Sequence, residues 1–448
     1  MAFTILFQIL KNWWWFFFPL ILVLPFKFFY FWWITWEVWD KKRKYTFLEL
    51  IPPEEVKKPF KAMEDVFNVL WTIFYNSPNW RERWCEGVPT KFVSWFSLEI
   101  VSIKGEIHFY MRIEKKFVDE VKATFYSHYP EMEIKEVEDY TKEIPRDIPN
   151  EKWDLYSEEF TLLKDEVYPI KTYSMFFERP EQEARIEQEK RVDPLTSLLE
   201  ALSALKSGER YWMQICATPI TDKEVPIHSR GRVIADKIAK RASPPPKKFF
   251  LQEIVSALVE ALIPGPSKKP SPKKEALLVG PEILLTPGEK EILKAIETKI
   301  SKPCFNCFIR IVYLYKKDEP YSRINFRIAR NYFQHFIHTT LNGIIFFGPT
   351  RTKIHYWLRE RRLYLRKRKN LRNYIERVPP YSPWNARGIP VHPIDFGFYP
   401  KTPGKWQRGT FVLSSEELTS IFHFPAKITV PTMPRVITKK VGPPPILP

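Results

Sequence analysis

Residues 13–36 read WWWFFFPLILVLPFKFFYFWWITW, and no other stretch constrains the chain so strongly. Side chains of this kind are far more stable in lipid than in water. As one helix the segment spans roughly 36 Å, enough to cross a bilayer with some tilt. Trp13, Trp14 and Trp15 cluster at one end, and Trp32, Trp33 and Trp36 at the other. The two clusters lie roughly 28 Å apart, the separation of two aromatic belts. Pro19 and Pro25 are tolerated in a membrane helix. Lys27 must snorkel or face protein or water. A kinked interfacial segment breaking at Pro25–Lys27 is the alternative arrangement. A cleaved signal peptide fits poorly, because the stretch is too long and no small-x-small site follows. Lys41, Lys42, Arg43 and Lys44 flank the segment on its far side, whereas only Lys11 precedes it. The positive-inside rule then predicts a single-pass protein of the cytoplasmic membrane with its body in the cytoplasm.

The rest of the 448 residues is too long for one ordinary core. Helical spacing of Val66, Val69, Leu70 and Ile73 predicts an amphipathic helix within 53–76. Two alternating stretches, FVSWFSLEIVSI and EIHFYMRI, flank Lys104-Gly105 as a hairpin. A helix over 115–127 and a strand over 132–137 follow. Asp193-Pro194 caps a helix with a stripe of Leu195, Leu198, Leu199, Leu202 and Leu205, stopped by Gly208. A strand over 211–218 comes next, with Lys171–Phe177 as its expected partner. Residues 243–283 hold eight prolines and read as a linker, within which 249–263 could form a short helix. Thr286 and Glu289 form a capping box for a helix to about 302, before a strand over 305–315 and a helical stretch over 320–340.

The expected fold class is α+β: an N-terminal transmembrane helix, two α/β-sandwich units and a Pro-rich extended C-terminal tail. The corresponding division is an anchor and basic flank (1–45), a juxtamembrane helical region (46–90), a first α+β domain (91–242), the linker (243–283), a second α+β unit with a basic helix (284–378), and the tail (379–448). A capping box at Ser414 and Glu417 gives the tail one short helix.

Net charge is +18, so polyanions are the natural partners: nucleic acid or an anionic leaflet. The charge concentrates in residues 351–377, RTKIHYWLRERRLYLRKRKNLRNYIER, with eleven Lys or Arg against two Glu, a net +9. Arg359, Arg361, Arg362, Arg366, Lys367, Arg368, Lys369 and Arg372 are the candidate contacts to phosphates or an anionic surface. Tyr356, Trp357, Leu358, Leu363, Leu365 and Leu371 interleave with them, so a solvated helix packed on its own domain is the competing reading. No base-reading motif accompanies the run.

Catalytic and cofactor motifs are absent from the sequence. No phosphate loop occurs: Gly343–Thr350 has the glycine spacing but carries Pro349 where the lysine belongs, and Gly404-Lys405 lacks the first glycine. G-x-S-x-G, H-E-x-x-H and G-x-G-x-x-G are missing too. Cys304-Phe-Asn-Cys307 lacks two further ligands at zinc spacing, and His335 with His338 lacks a third. The expectation is a non-enzymatic chain without metal or cofactor, and its four cysteines fit a reducing compartment.

Three stretches together resemble one family: DPLTSLLEALSALKSGERYWMQ (193–214), KFVDEVKATFYSHYPEMEIKEVEDY (116–140), and FVLSSEELTSIFHFP (411–425) with VPTMPRVITKKVGPPPILP (430–448). The family is the membrane-anchored N-terminal region of bacterial type IV secretion and conjugative DNA-transfer proteins, which in many members precedes a HerA–FtsK-type ATPase. The phosphate loop of that ATPase does not occur in these residues. The resemblance implies a non-enzymatic component that positions a separate motor chain. A membrane-tethered protein binding nucleic acid without sequence preference is the alternative. Expected partners are the membrane, the ATPase, DNA and further copies of this chain.

Overall fold

The computed structural model describes scattered positions between 12 and 31, then residues 33–436 except 57–58, 76, 89–93, 177–192, 224, 240–284, 349, 355–357, 378–409 and 428–430. The expected linker helix at 249–263, Trp13, Trp32, Tyr356, Trp357 and most of the expected tail lie outside the described residues.

Alternation of apolar side chains builds the hairpin of β2 (Phe96–Ile103) and β3 (Glu106–Glu114). Its two-residue turn has Lys104 at φ 56 and Gly105 at φ 89, the pair of positive values that a right-twisted hairpin favours. A Cβ at position 105 would lie 2.8 Å from the Ser203 carbonyl oxygen, so glycine is needed for approach as well as for conformation.

The hairpin sits inside one antiparallel sheet that also contains β1 (Tyr45–Ile51), β4 (Glu133–Val137), β5 (Trp153–Leu162), β6 (Glu209–Ile220), β7 (Cys304–Lys316), β8 (Ile344–Phe346) and β9 (Phe411–Ser414). The order is β4-β1-β3-β2-β6-β7-β5-β8, with β9 pairing to β7 beyond the end of β5. β6 and β7 pair continuously from Glu209↔Tyr315 to Ile220↔Cys304. The α+β class holds, but the two expected sandwich units share this single sheet. The expected partner of β6, residues 171–177, instead contributes a 3-10 turn at Tyr173–Met175.

The helices are α1 (Pro59–Phe74), α2 (Val118–His128), α3 (Pro194–Ser203), α4 (Ile227–Ile238), α5 (Pro287–Ile300), α6 (Ile328–Gln334), α7 (Arg359–Glu376) and α8 (Ser415–Ile421). On the first face of the sheet, α1, α2, α3, α6 and α8 bury the main core against residues such as Leu98, Phe109, Met213 and Ile311. The α3 stripe of Leu195, Leu198, Leu199 and Leu202 is wholly buried, and each such leucine stabilises by roughly 1.5–3 kcal/mol. On the second face, α4 and α5 cover the end near Cys304, and α7 covers the middle.

Residues 411–421, expected in an extended tail, lie inside this core. Every residue of β9 and α8 is buried, and both halves of the Ser414–Glu417 capping box form. Glu417 also accepts the Ile170 backbone N–H at 2.8 Å and pairs with the buried Lys299 ammonium at 2.9 Å. Cost of burying those charges is offset only because each has a partner.

The N-terminal expectation is corrected. Among the described residues no helix is long and apolar enough to cross a membrane, so the transmembrane helix and the single-pass placement in the cytoplasmic membrane are overturned. The backbone departs from a regular α-helix at a π-helical turn, Ile34–Asp40, which includes Trp36. The last residues of the segment dock on protein, whereas the described side chains before Tyr30 are exposed. Tyr30 donates its hydroxyl to the Trp84 carbonyl at 2.6 Å, Thr35 donates to the Gly87 carbonyl at 2.8 Å, and Phe31 packs edge-on against Trp84 at 4.7 Å. Trp14, Trp15 and Trp33 are exposed. Of the four flanking cations, Arg43 is withdrawn from the surface. Arg43 is buried in an ion pair with Glu114 and stacks on Trp39 and Trp95, while Lys41 pairs with Glu37 and only Lys42 and Lys44 are simply exposed.

Candidate nucleic-acid interface

The sequence of α7 is rich in Arg, Lys, Leu and Glu, all strong helix formers, and only Ile375 is β-branched. Leu358 before it and Arg377 after it both adopt left-handed backbone near φ 56, which ends the helix sharply at each side. Leu371 and Tyr374 pack on Leu155, Trp212, Val312 and Leu314 of the second sheet face. Tyr374 lies 5.4 Å from the Trp212 ring.

Beneath the helix a polar row crosses six strands in register: Glu49, Tyr110, Glu99, Gln214, Arg310 and Glu159. Arg377 closes over this row. Its guanidinium donates to both Glu99 oxygens at 3.0 and 3.2 Å and to both Asp139 oxygens at 2.7 and 3.2 Å. Such bidentate pairing is the strongest form of this interaction. Glu99 also accepts from Ser97 at 2.7 Å, Tyr140 at 2.6 Å and Gln214 at 3.0 Å. Burial pushes the Glu99 carboxyl up, but the Arg377 charge and these donors override it and hold the group below the ordinary carboxylate range. Asp139 is depressed by the same contest between burial and Arg377. At Glu159 burial wins over Arg310, and the carboxyl is raised. Arg112, desolvated next to the Arg377 charge, is lowered to about 10.

Further tethers fix the helix along its length. Arg310 donates to the Asn373 carbonyl at 2.5 Å, Asn370 to the Thr350 carbonyl at 2.8 Å, Lys367 to Asp154 at 2.5 Å and Arg366 to the Arg351 carbonyl at 2.8 Å. Two of the eight candidate contact residues, Arg366 and Lys367, are therefore half-buried and serve as tethers. The other six, Arg359, Arg361, Arg362, Arg368, Lys369 and Arg372, are exposed. Leu358, Tyr364 and Leu365 are exposed among them, and Glu360 is the one acid on that stretch. Arg359, Arg361 and Arg362, with Glu360 among them, stand on the first turn at the positive end of the helix dipole.

Cys304 and Cys307 are buried on opposite faces of β7, an odd spacing on a strand, and cannot converge on one ion. Burial pushes both thiols up, Cys304 to about 12. His335 lies one residue beyond the end of α6, and His338 contacts the Thr340 hydroxyl through Nδ1 at 2.9 Å. Among the described residues no three His, Cys, Asp or Glu side chains gather to hold a metal ion. The sequence reading missed Glu99, Asp139 and Arg310. For Glu99 and Arg310 the signal was a charge inside an otherwise apolar strand, which announces a buried partner without naming it, whereas Asp139 precedes the 3-10 turn Tyr140–Glu143 and gave none. Compared with known proteins, the chain matches no family model and no curated relative.

Proposed function

We propose that this chain is a non-enzymatic subunit that holds nucleic acid without sequence preference on the exposed face of α7. One observation carries the reading: six cationic side chains project from a helix that ion pairs and hydrogen bonds fix to the body. Exposed cations on a rigid element neutralise phosphates, and the absence of a base-reading motif argues for backbone contact. The resemblance to DNA-transfer proteins extends the proposal to a platform beside a separate HerA–FtsK-type motor ATPase. The sequence lacks a phosphate loop, so this reading assigns ATP hydrolysis to that other chain.

Fluorescence anisotropy with a labelled oligonucleotide across salt concentration tests it. Six phosphate contacts give a slope of log affinity against log salt of about −4 to −5. Replacing Arg361, Arg362 and Arg368 with Gln reduces that slope by about 2 to 3. Absence of binding at low salt, or an unchanged slope in the triple variant, refutes the assignment.

A further inference from the structure

We propose that Phe346, with Arg330 and Arg351 fixed beside it, is a base-stacking platform, and that α7 therefore receives nucleic acid as a single strand. The inference rests on the nucleic-acid reading of α7 and names the form of the ligand. β8 ends the sheet and pairs with β5 over only three residues, Phe160 to Leu162. Its last residue, Phe346, is 40% exposed, although its cross-strand neighbour Phe160 is buried in the core. A lone exposed phenylalanine would be ordinary. This one lies over two guanidiniums, Arg330 at 4.6 Å and Arg351 at 5.1 Å from the ring centre.

Those cations are held in place rather than solvated. Both reach the Tyr156 hydroxyl, at 2.9 and 3.0 Å, which gathers them together beside the ring. Arg330 also pairs with both oxygens of the buried Glu158. Two arginines face one glutamate, so a positive charge remains. The ring itself stays partly open to solvent beside them. Exposed Arg323 and Arg327 stand on the 3-10 turn before α6, with Arg327 5.6 Å from the Phe326 ring. Phe346 points to the first face of the sheet with Phe160 while α7 lies on the second, and the two are joined around the β8 edge, where the Arg351 carbonyl accepts from Arg366 of α7.

Duplex DNA offers its backbone and groove edges but hides the faces of its bases, so an open aromatic ring adds nothing to it. An unpaired base stacks on such a ring with a gain of about tenfold or more in affinity, independent of its identity. Cations beside the ring hold the adjoining phosphates.

The test compares a labelled twenty-nucleotide oligothymidine with a duplex of the same length, using the full chain and checking each variant by thermal melting. The expected results are tighter binding of the single strand, and a loss of about tenfold for Phe346→Leu on the single strand with the duplex unchanged. Leucine keeps the apolar bulk without the stacking face, and Phe346→Trp retains or improves single-strand affinity. Arg361→Gln with Arg362→Gln weakens both ligands. Equal loss on both ligands for Phe346→Leu, or no loss on either while the arginine variant weakens both, overturns the platform and leaves the α7 reading standing. If neither ligand binds the unmodified chain, both fall.

Discussion

Replacing Arg377 with Met removes the residue that joins the end of α7 to the sheet. The side chain is 1% exposed and Glu99 beneath it 0%, so methionine of similar length leaves Glu99 buried without its cation. Asp139 is 17% exposed and recovers part of its hydration. Breaking one buried pair by removing a partner costs about 3–5 kcal/mol, and the structure places the change within that range. The pH dependence is the sharper signature. In the unmodified chain Glu99 is depressed, so its contribution is present above its ordinary carboxylate pKa of 4.5 and is lost as the pH falls through its lower folded value. In the variant burial favours the protonated form of Glu99, and the Arg112 charge with the Ser97, Tyr140 and Gln214 donors remains to oppose it. Stability of the variant relative to the parent is therefore lowest at pH 7 and recovers toward pH 4.5. Urea unfolding followed by tryptophan fluorescence at several pH values measures both effects. Adding Glu99→Gln to the variant should restore at least about 1 kcal/mol at pH 7. A loss below about 1 kcal/mol, or a loss independent of pH, would refute the claim that this clamp is a compensated buried charge.

Two further outcomes follow from the same packing. Truncation after Thr410 deletes β9 and α8, opens the first-face core and should leave a chain that no longer unfolds cooperatively, read by calorimetry; a sharp transition near that of the full chain would show those elements to be dispensable. Asp193→Ala removes both the acceptor for the Leu195 N–H at 2.8 Å and the partner of the buried His423 imidazole at 3.0 Å, with an expected loss of about 2–4 kcal/mol at pH 7. Burial raises this carboxyl but the His423 charge overrides it, so the group is depressed and its contribution holds above pH 3.8 and disappears as the pH falls through the lower folded value. A deficit that persists unchanged at pH 2.5 would point to a cause other than ionisation.

Local signals in the sequence are reliable here, and long-range ones are not. The Lys104-Gly105 turn, the Asp193-Pro194 cap and the two capping boxes are each decided by a few neighbouring residues, and all four form. By contrast, β5 carries Asp154, Glu158 and Glu159 and was not among the expected strands. Glu158 and Glu159 are buried because Arg330 and Arg310 arrive from distant parts of the chain. The Pro-rich stretch at 243–283 suggested a division, yet the strands on either side of it are neighbours in one sheet. The aromatic N-terminal segment satisfies the hydropathy expected of a membrane helix, and periodicity alone gave no sign that Tyr30, Phe31 and Thr35 would dock on residues 82–87. Within the basic helix, composition placed all eight cations together, but only the packing direction separates Arg366 and Lys367 from those facing water.

The late arrival of β9 has a consequence for biosynthesis. About a hundred residues separate the end of β7 from Phe411, and a ribosome needs roughly 5–20 s to add them. Throughout that interval Cys304–Cys307 present an unpaired flank, and the apolar surface that α8 will cover stands open. A nascent chain ending before Phe411 therefore carries an unpaired strand flank and open apolar surface, the two features that favour association between unfinished chains.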